Sequence, residues 1–317
     1  MKMGISLSAT IFALTCFMTI AMSCKTYCYA DASYTGTAIT LSGAADTGTV
    51  FNGYNNVINQ NAAEPDLFTG TMSYKIPIVV PSGRGGMQPD LALSYRSNGA
   101  NGWLGMGWTL GVDSIERNTR FGVNYGADDY VMRKSDSVSE VISIGNSDYR
   151  AKIEGNFNRI VKLTASDGRP SWEVIDKKGT HYFFGQTTAS RQDNPANPGQ
   201  IFKWCLDQVT DANGNTMTFS YTKNLGETYL AQITYSGNTI KFYPDGTRRD
   251  INEIYTANFP VKTTYRLKII DIIANGNRLR TYKLNYKDYR GSDSTRQDAT
   301  GRSLLLNVIQ YDKNANV

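Results

Sequence analysis

His181 is the only histidine in the 317-residue chain, so one copy cannot build a Ser-His-Asp triad or a multi-histidine metal site. It lies in the aromatic run His181-Tyr-Phe-Phe184, where a strand histidine, exposed or satisfied by a neighbour, is expected. Cys205, between Trp204 and Leu206, is read as a buried, inert thiol in a second strand. Asp211, Asn213 and Asn215 alternate like the start of a calcium loop, yet Gly214 comes two places early and Thr222 stands where the closing Glu belongs. A turn is expected there instead. Gly83-Arg84-Gly85-Gly86 could cradle a phosphate, but no Gly-Lys-Ser/Thr and no strong helix follows it. The many aspartates offer pairs for glycoside hydrolysis, and none stands out in sequence. The reading is therefore of a chain without catalytic, cofactor-binding or metal-binding residues, and not of an enzyme.

The elements that carry these residues read as strands. Met217, Phe219 and Tyr221 alternate with Thr216, Thr218 and Ser220, and Tyr282, Leu284 and Tyr286 repeat the pattern. Between such runs lie Asp167-Gly168, Asp176-Lys-Lys-Gly179, Asp211-Ala-Asn-Gly-Asn215, Ser236-Gly-Asn238 and Asn275-Gly-Asn277, whose residues tolerate positive φ. No stretch beyond the first thirty residues holds a capped helical period. The turn units repeat without a fixed spacing, which argues against a regular propeller or solenoid. The expected fold is all-β: irregular antiparallel hairpins forming a curled or shell-like sheet, with little helix.

Residues 1–30 have the order of a secretory signal: Lys2, an apolar stretch from Ile5 to Met22, and a polar run ending at Ala30. Cleavage after Ala30 is expected, with lipidation at Cys24 and an uncleaved anchor as the alternatives. Cys16, Cys24 and Cys28 fall in this leader, so the exported form keeps Cys205 alone and has no internal disulfide. Residues 31–64, rich in Thr, Ala, Gly and Asn, read as a polar, flexible lead-in, and residues 65–317 as the β module. With 33 basic against 28 acidic residues, the charge is too balanced for a nucleic-acid partner. Charged stretches such as Asp245-Gly-Thr-Arg-Arg-Asp250 argue against a membrane-integral barrel.

The most distinctive segment runs from Phe68 to Leu110. Ile76, Pro77 and Ile78 mark a strand that proline confines to an edge or a turn entry. Gly83, Arg84, Gly85 and Gly86 reverse the chain, and Leu91, Leu93 and Tyr95 form the returning strand. In the following loop Gly102, Gly105 and Gly107 let backbone pass close to Trp103 and Trp108, which are expected to be largely buried. This opening resembles that of SpvB-type virulence proteins and the B subunits of insecticidal toxin complexes. The segments 171–185 and 204–221, the latter with Asp211, Gly214 and Asn215, are also similar to that family, as is 301–312, which opens Gly301-Arg302-Ser303.

The resemblance spans residues 66–312 in matching order, and it implies kinship with RHS/YD-repeat shells that enclose a toxic effector. It implies no catalysis here, because the ADP-ribosyltransferase activity of SpvB-type proteins belongs to a separate domain needing a Glu-x-Glu pair, and no two glutamates here lie two apart. The function expected is that of a non-catalytic structural or scaffold module of an exported toxin-like protein, extracellular or attached to the cell envelope. It would contribute to effector encapsulation or delivery. Its partners would be further shell or propeller segments, or another chain of a toxin complex. The strand-like run Leu304–Tyr311 is expected to leave an open sheet edge. The alternative is a secreted carbohydrate- or surface-binding β-domain, suggested by 20 tyrosines and four tryptophans.

Overall fold

The computed structural model describes residues 64–65, 68–134, 137–246, 248–287 and 301–313; the expected leader, and all of the lead-in but Glu64, lie outside them. The chain enters through a small antiparallel sheet of β1 (Glu64–Pro65), β2 (Met72–Pro77), β3 (Ala92–Arg96) and β6 (Trp108–Leu110). Two short paired segments, β4 (Asn101–Gly102) and β5 (Gly105–Met106), form the loop before β6. Pro77 ends β2, and the Gly83–Gly86 reversal is a single 3-10 turn with Gly85 and Gly86 at φ 61° and 78°. That turn is the only helical element among the described residues.

A meander follows: β7 (Ser114–Arg117), β8 (Tyr130–Lys134), β9 (Ser137–Gly145), β10 (Asp148–Ala151), β11 (Arg159–Thr164), β12 (Pro170–Ile175) and β13 (His181–Phe184). After β14 (Arg191–Asn194) the chain enters the long β15 (Asn197–Thr210), which pairs with β7 along one edge and with β13 along the other. These seven strands and β15 thus close into an eight-stranded barrel, a size whose interior side chains can fill. Tyr130, Tyr149, Trp172 and Trp204 fill it, with Trp172 4.7 Å from Tyr130 and 4.9 Å from Tyr149 between ring centroids, all edge-on. The Arg117 guanidinium lies over Tyr125, Tyr130 and Trp204, and donates to the carbonyls of Asn124, Ala127 and Ile201.

Beyond the barrel, β15 continues as the first strand of an open antiparallel sheet. It runs through β16 (Thr216–Asn224), β17 (Glu227–Tyr235), β18 (Asn238–Asp245), β21 (Arg266–Ala274), β22 (Asn277–Lys287) and β23 (Leu304–Asp312). A separate hairpin, β19 (Asn252–Ile254) and β20 (Val261–Thr263), sits between β18 and β21 in sequence. Met217, Phe219 and Tyr221 are buried while Thr216, Thr218 and Ser220 are exposed, as the alternation requires. The turns lie where the Gly, Asn and Asp clusters put them; Ser236-Gly237 and Asn275-Gly276 each place two successive residues at positive φ, the geometry of a tight hairpin. The small sheet and the segments that connect its strands lay Ile78, Leu91, Leu93 and Leu104 on the core that joins the barrel interior to the inner face of the open sheet.

Candidate functional site

The residues singled out in the sequence gather at two junctions, both of which tie the small entry sheet to the open sheet. At the first, Tyr235 Oη donates to the Pro81 carbonyl at 2.8 Å, the Arg84 amide donates to Ser236 Oγ at 3.0 Å, and the Val79 amide donates to Tyr282 Oη at 3.0 Å. Gly85 lies over the Asp211–Asn215 turn: a Cβ there would meet Asn215 Nδ2 at 3.2 Å and Asp211 Oδ2 at 3.5 Å. The Asp211 carboxylate accepts from the amides of Asn213 and Asn215 and from Asn215 Nδ2. The Asn215 side-chain bond holds its pKa below the ordinary value. Its oxygens close a hairpin whose Gly214 sits at φ 80°, the turn expected at this position.

The second junction joins the Gly-Trp loop to the Gly301–Ser303 segment through two residues the sequence reading passed over as charged surface, Arg248 and Asp250. Arg248 donates to the Gly102 carbonyl at 2.7 Å and to Asn101 Oδ1 at 2.8 Å, and its Nε lies 3.0 Å from Asp250 Oδ1. Asp250 in turn accepts from Asn101 Nδ2 at 2.9 Å, the Ser303 amide at 2.6 Å and Ser303 Oγ at 2.5 Å. The Met106 amide donates to the Ser303 carbonyl at 2.8 Å. Gly105, at φ 88°, makes this approach possible, since a Cβ there would come within 2.5 Å of the Ser303 oxygen. Burial pushes the Asp250 carboxyl up, but the Ser303 and Asn101 hydrogen bonds and the Arg248 charge outweigh it and hold the pKa below the ordinary value. Arg248 and Asp250 sit at alternate positions with side chains 0% and 10% exposed. A same-side opposite-charge pair inside Asp245–Asp250 was the available signal.

The four tryptophans differ in depth, and Trp103 and Trp108 pack on the core as expected without being fully enclosed. Trp172 and Trp204 are the enclosed pair, whereas Trp103 and Trp108 are half-buried at the rim of the core. Trp103 meets Tyr229 at 5.9 Å and its carbonyl accepts from the Leu267 amide; Trp108 meets Tyr95 at 5.3 Å and Tyr74 at 6.4 Å. Gly107 is required beside Tyr95, whose ring a Cβ would meet at 2.6 Å. Ile76 packs on the core and Ile78 lies within it, while Pro77, Gly86, Gly301 and Arg302 are exposed.

The possible catalytic groups are held in structural contacts. His181 Nδ1 lies 2.7 Å from Glu173 Oε1 on the neighbouring strand β12. Cys205 is buried, and burial pushes its thiol up to about 12 despite Lys203, a basic residue two positions away on the same strand. Lys203 itself is paired with Glu116 at 3.2 Å. Among the described residues no group of three or more His, Cys, Asp or Glu is placed to hold a metal ion.

Residues 66–268 match the family described as SpvB: Salmonella virulence plasmid 65kDa B protein. The Mono(ADP-ribosyl)transferase SpvB of Salmonella choleraesuis strain SC-B67 is 25% identical over 182 residues, covering 50% of this chain and 31% of that protein. The chain thus spans about a third of the relative's length. The structure of the N-terminal domain of effector protein SpvB from Salmonella typhimurium strain LT2 superposes with a TM-score of 0.63 at 18% identity, covering 75% of this chain and 98% of that one. The crystal structure of TcdB2-TccC3 gives a TM-score of 0.63 at 17% identity, over 72% of this chain and 15% of that far longer one. A family match across well over half its length means that this chain belongs to the SpvB family.

Proposed function

We propose that the chain is a non-catalytic structural module of an exported toxin-like shell, contributing to the enclosure or delivery of an effector. The observation that carries this reading is a fold matching nearly all of the SpvB N-terminal domain and also a 15% segment of the TcdB2 assembly, where the same unit is one part of a larger chain. Several residues that resemble the family motifs, Gly85, Gly102, Gly105, Asp211, Asn215 and Ser303 among them, lie at the two junctions that pin the entry sheet to the open sheet. Residues 65–317 form the module, residues 1–30 direct export, and the partners are further shell segments of RHS/YD-repeat type or another chain of a toxin complex.

The open sheet supports a continuing shell. Among the described residues β23 pairs with β22 alone, with Leu304 and Leu306 exposed, and such an edge accepts a further strand. The barrel interior is apolar and packed with rings, unlike the polar lumen of membrane-spanning barrels, which supports a module outside the membrane. Size-exclusion chromatography with light scattering, combined with amide exchange, tests the reading. Concentration-dependent assembly is expected, with fast exchange in the unassembled chain at the outward-facing amides of Leu304–Tyr311, those not paired with β22. A concentration-independent monomer with that strand protected overturns it, and saturable glycan-array binding lost in Trp103→Ala or Trp108→Ala would favour a carbohydrate-binding domain instead.

A further inference from the structure

A groove of about 450 Å3 opens between the Gly85–Leu91 segment and the mouth of the barrel. Its origin is topological. One edge of β15 pairs with β7 at Lys203–Cys205 and then with β16 at Gln208–Thr210, so β7 and β16 splay apart from a shared neighbour. The register shift that pairs Phe184 with Leu206 but Phe183 with Gln208 turns both Leu206 and Val209 toward the opening. With Met217 and Phe219 they form an apolar floor, part of the continuous core yet still touched by solvent.

The rim carries Asp90, Asp113 and Asp211 against a single cation, Lys178. The exposed Asp90, with Asp211, which stays anionic while its oxygens accept from Asn213 and Asn215, sets negative charge beside the apolar floor, which disfavours an anionic ligand and attracts a cation carried beside an apolar group. The volume lies within the about 300–1,000 Å3 range of ligand-binding clefts. We propose that this groove docks a segment of a partner polypeptide in which Lys or Arg flanks a large apolar side chain. The inference is independent of the shell reading, because it rests on the groove's chemistry and not on the sheet edge.

The test is fluorescence anisotropy of the purified chain with a labelled Gly-Lys-Leu-Phe-Lys-Gly peptide. Gly-Glu-Leu-Phe-Glu-Gly and Gly-Lys-Ser-Ser-Lys-Gly serve as comparisons, and phenethylamine as a small competitor. Saturable binding of the first peptide is expected, about tenfold tighter than either comparison and weakening with salt. Asp90→Lys should weaken it about tenfold, and Gln88→Trp, which fills the groove, should abolish it. Both replaced side chains are exposed, so an unchanged denaturation midpoint verifies the fold of each variant. The proposal is overturned by absent saturation, by equal binding of the acidic peptide, by binding retained in folded Gln88→Trp, or by phenethylamine binding as tightly as the peptide.

Discussion

Replacing Asp250 by Asn tests whether the second junction holds the entry loop and the last strand together. The substitution keeps the side chain's size and removes its charge, leaving Arg248, whose side chain is fully enclosed, as an uncompensated buried cation. Breaking such a pair from one side costs about 3–5 kcal/mol. The new amide also points a donor at Ser303 or Asn101, both already donors to this carboxylate, a mismatch worth about 1–3 kcal/mol. The two effects share one site and do not add fully, so a loss of about 4 kcal/mol is expected. With a urea m-value of about 2–3 kcal/mol/M, the midpoint should fall by about 1.5 M. Amide exchange should accelerate in Gly102–Gly107 and in β23. The double variant Arg248→Met, Asp250→Leu should recover much of the loss, since apolar replacement of a whole buried pair is often near neutral.

The same group sets a pH signature. Its folded pKa lies below the unfolded value of about 3.9, so its stabilisation is complete above that value and is lost as pH falls through the folded one. The wild-type chain should therefore lose more stability below about pH 4 than Asp250→Asn does. A loss under about 1 kcal/mol in the single variant, with no change in exchange at β23, would refute the junction as a stabilising element.

Trp172→Ala should destabilise by about 3–5 kcal/mol because the ring is fully enclosed among three aromatic partners, whereas Trp103→Ala, at the rim, should cost about half as much; urea midpoints compare them. Equal losses would contradict the assignment of the barrel as the main aromatic core. Cys205, with its thiol pushed up to about 12, should be on the order of one part in ten thousand thiolate at pH 8, so Ellman's reagent should label it only at the unfolding rate. Rapid labelling of the native chain would show an accessible thiol.

Much of the fold is legible in the strands themselves. The period of two in Met217-Phe219-Tyr221 and Tyr282-Leu284-Tyr286 determines which side chains face the core, because a pleated strand alternates sides. Ser236-Gly237 and Asn275-Gly276 determine where the chain reverses, because those residues tolerate the positive φ that tight hairpins demand. These are local properties, carried by adjacent residues. Closure of β7–β13 and β15 into a barrel is not local: it depends on Cys205 meeting Ser114 and Phe184 meeting Leu206, contacts that no sequence period records. The same holds for Arg248 and Asp250, which join residues about 150 positions back to residues about 50 positions ahead and look like solvated charge until Asn101 and Ser303 are brought beside them. The choice of enclosed tryptophans was likewise tertiary. Trp172 and Trp204 sit on strands whose inner faces converge inside the barrel, while Trp103, in a loop, and Trp108, at the start of β6, pack against the edge of the core.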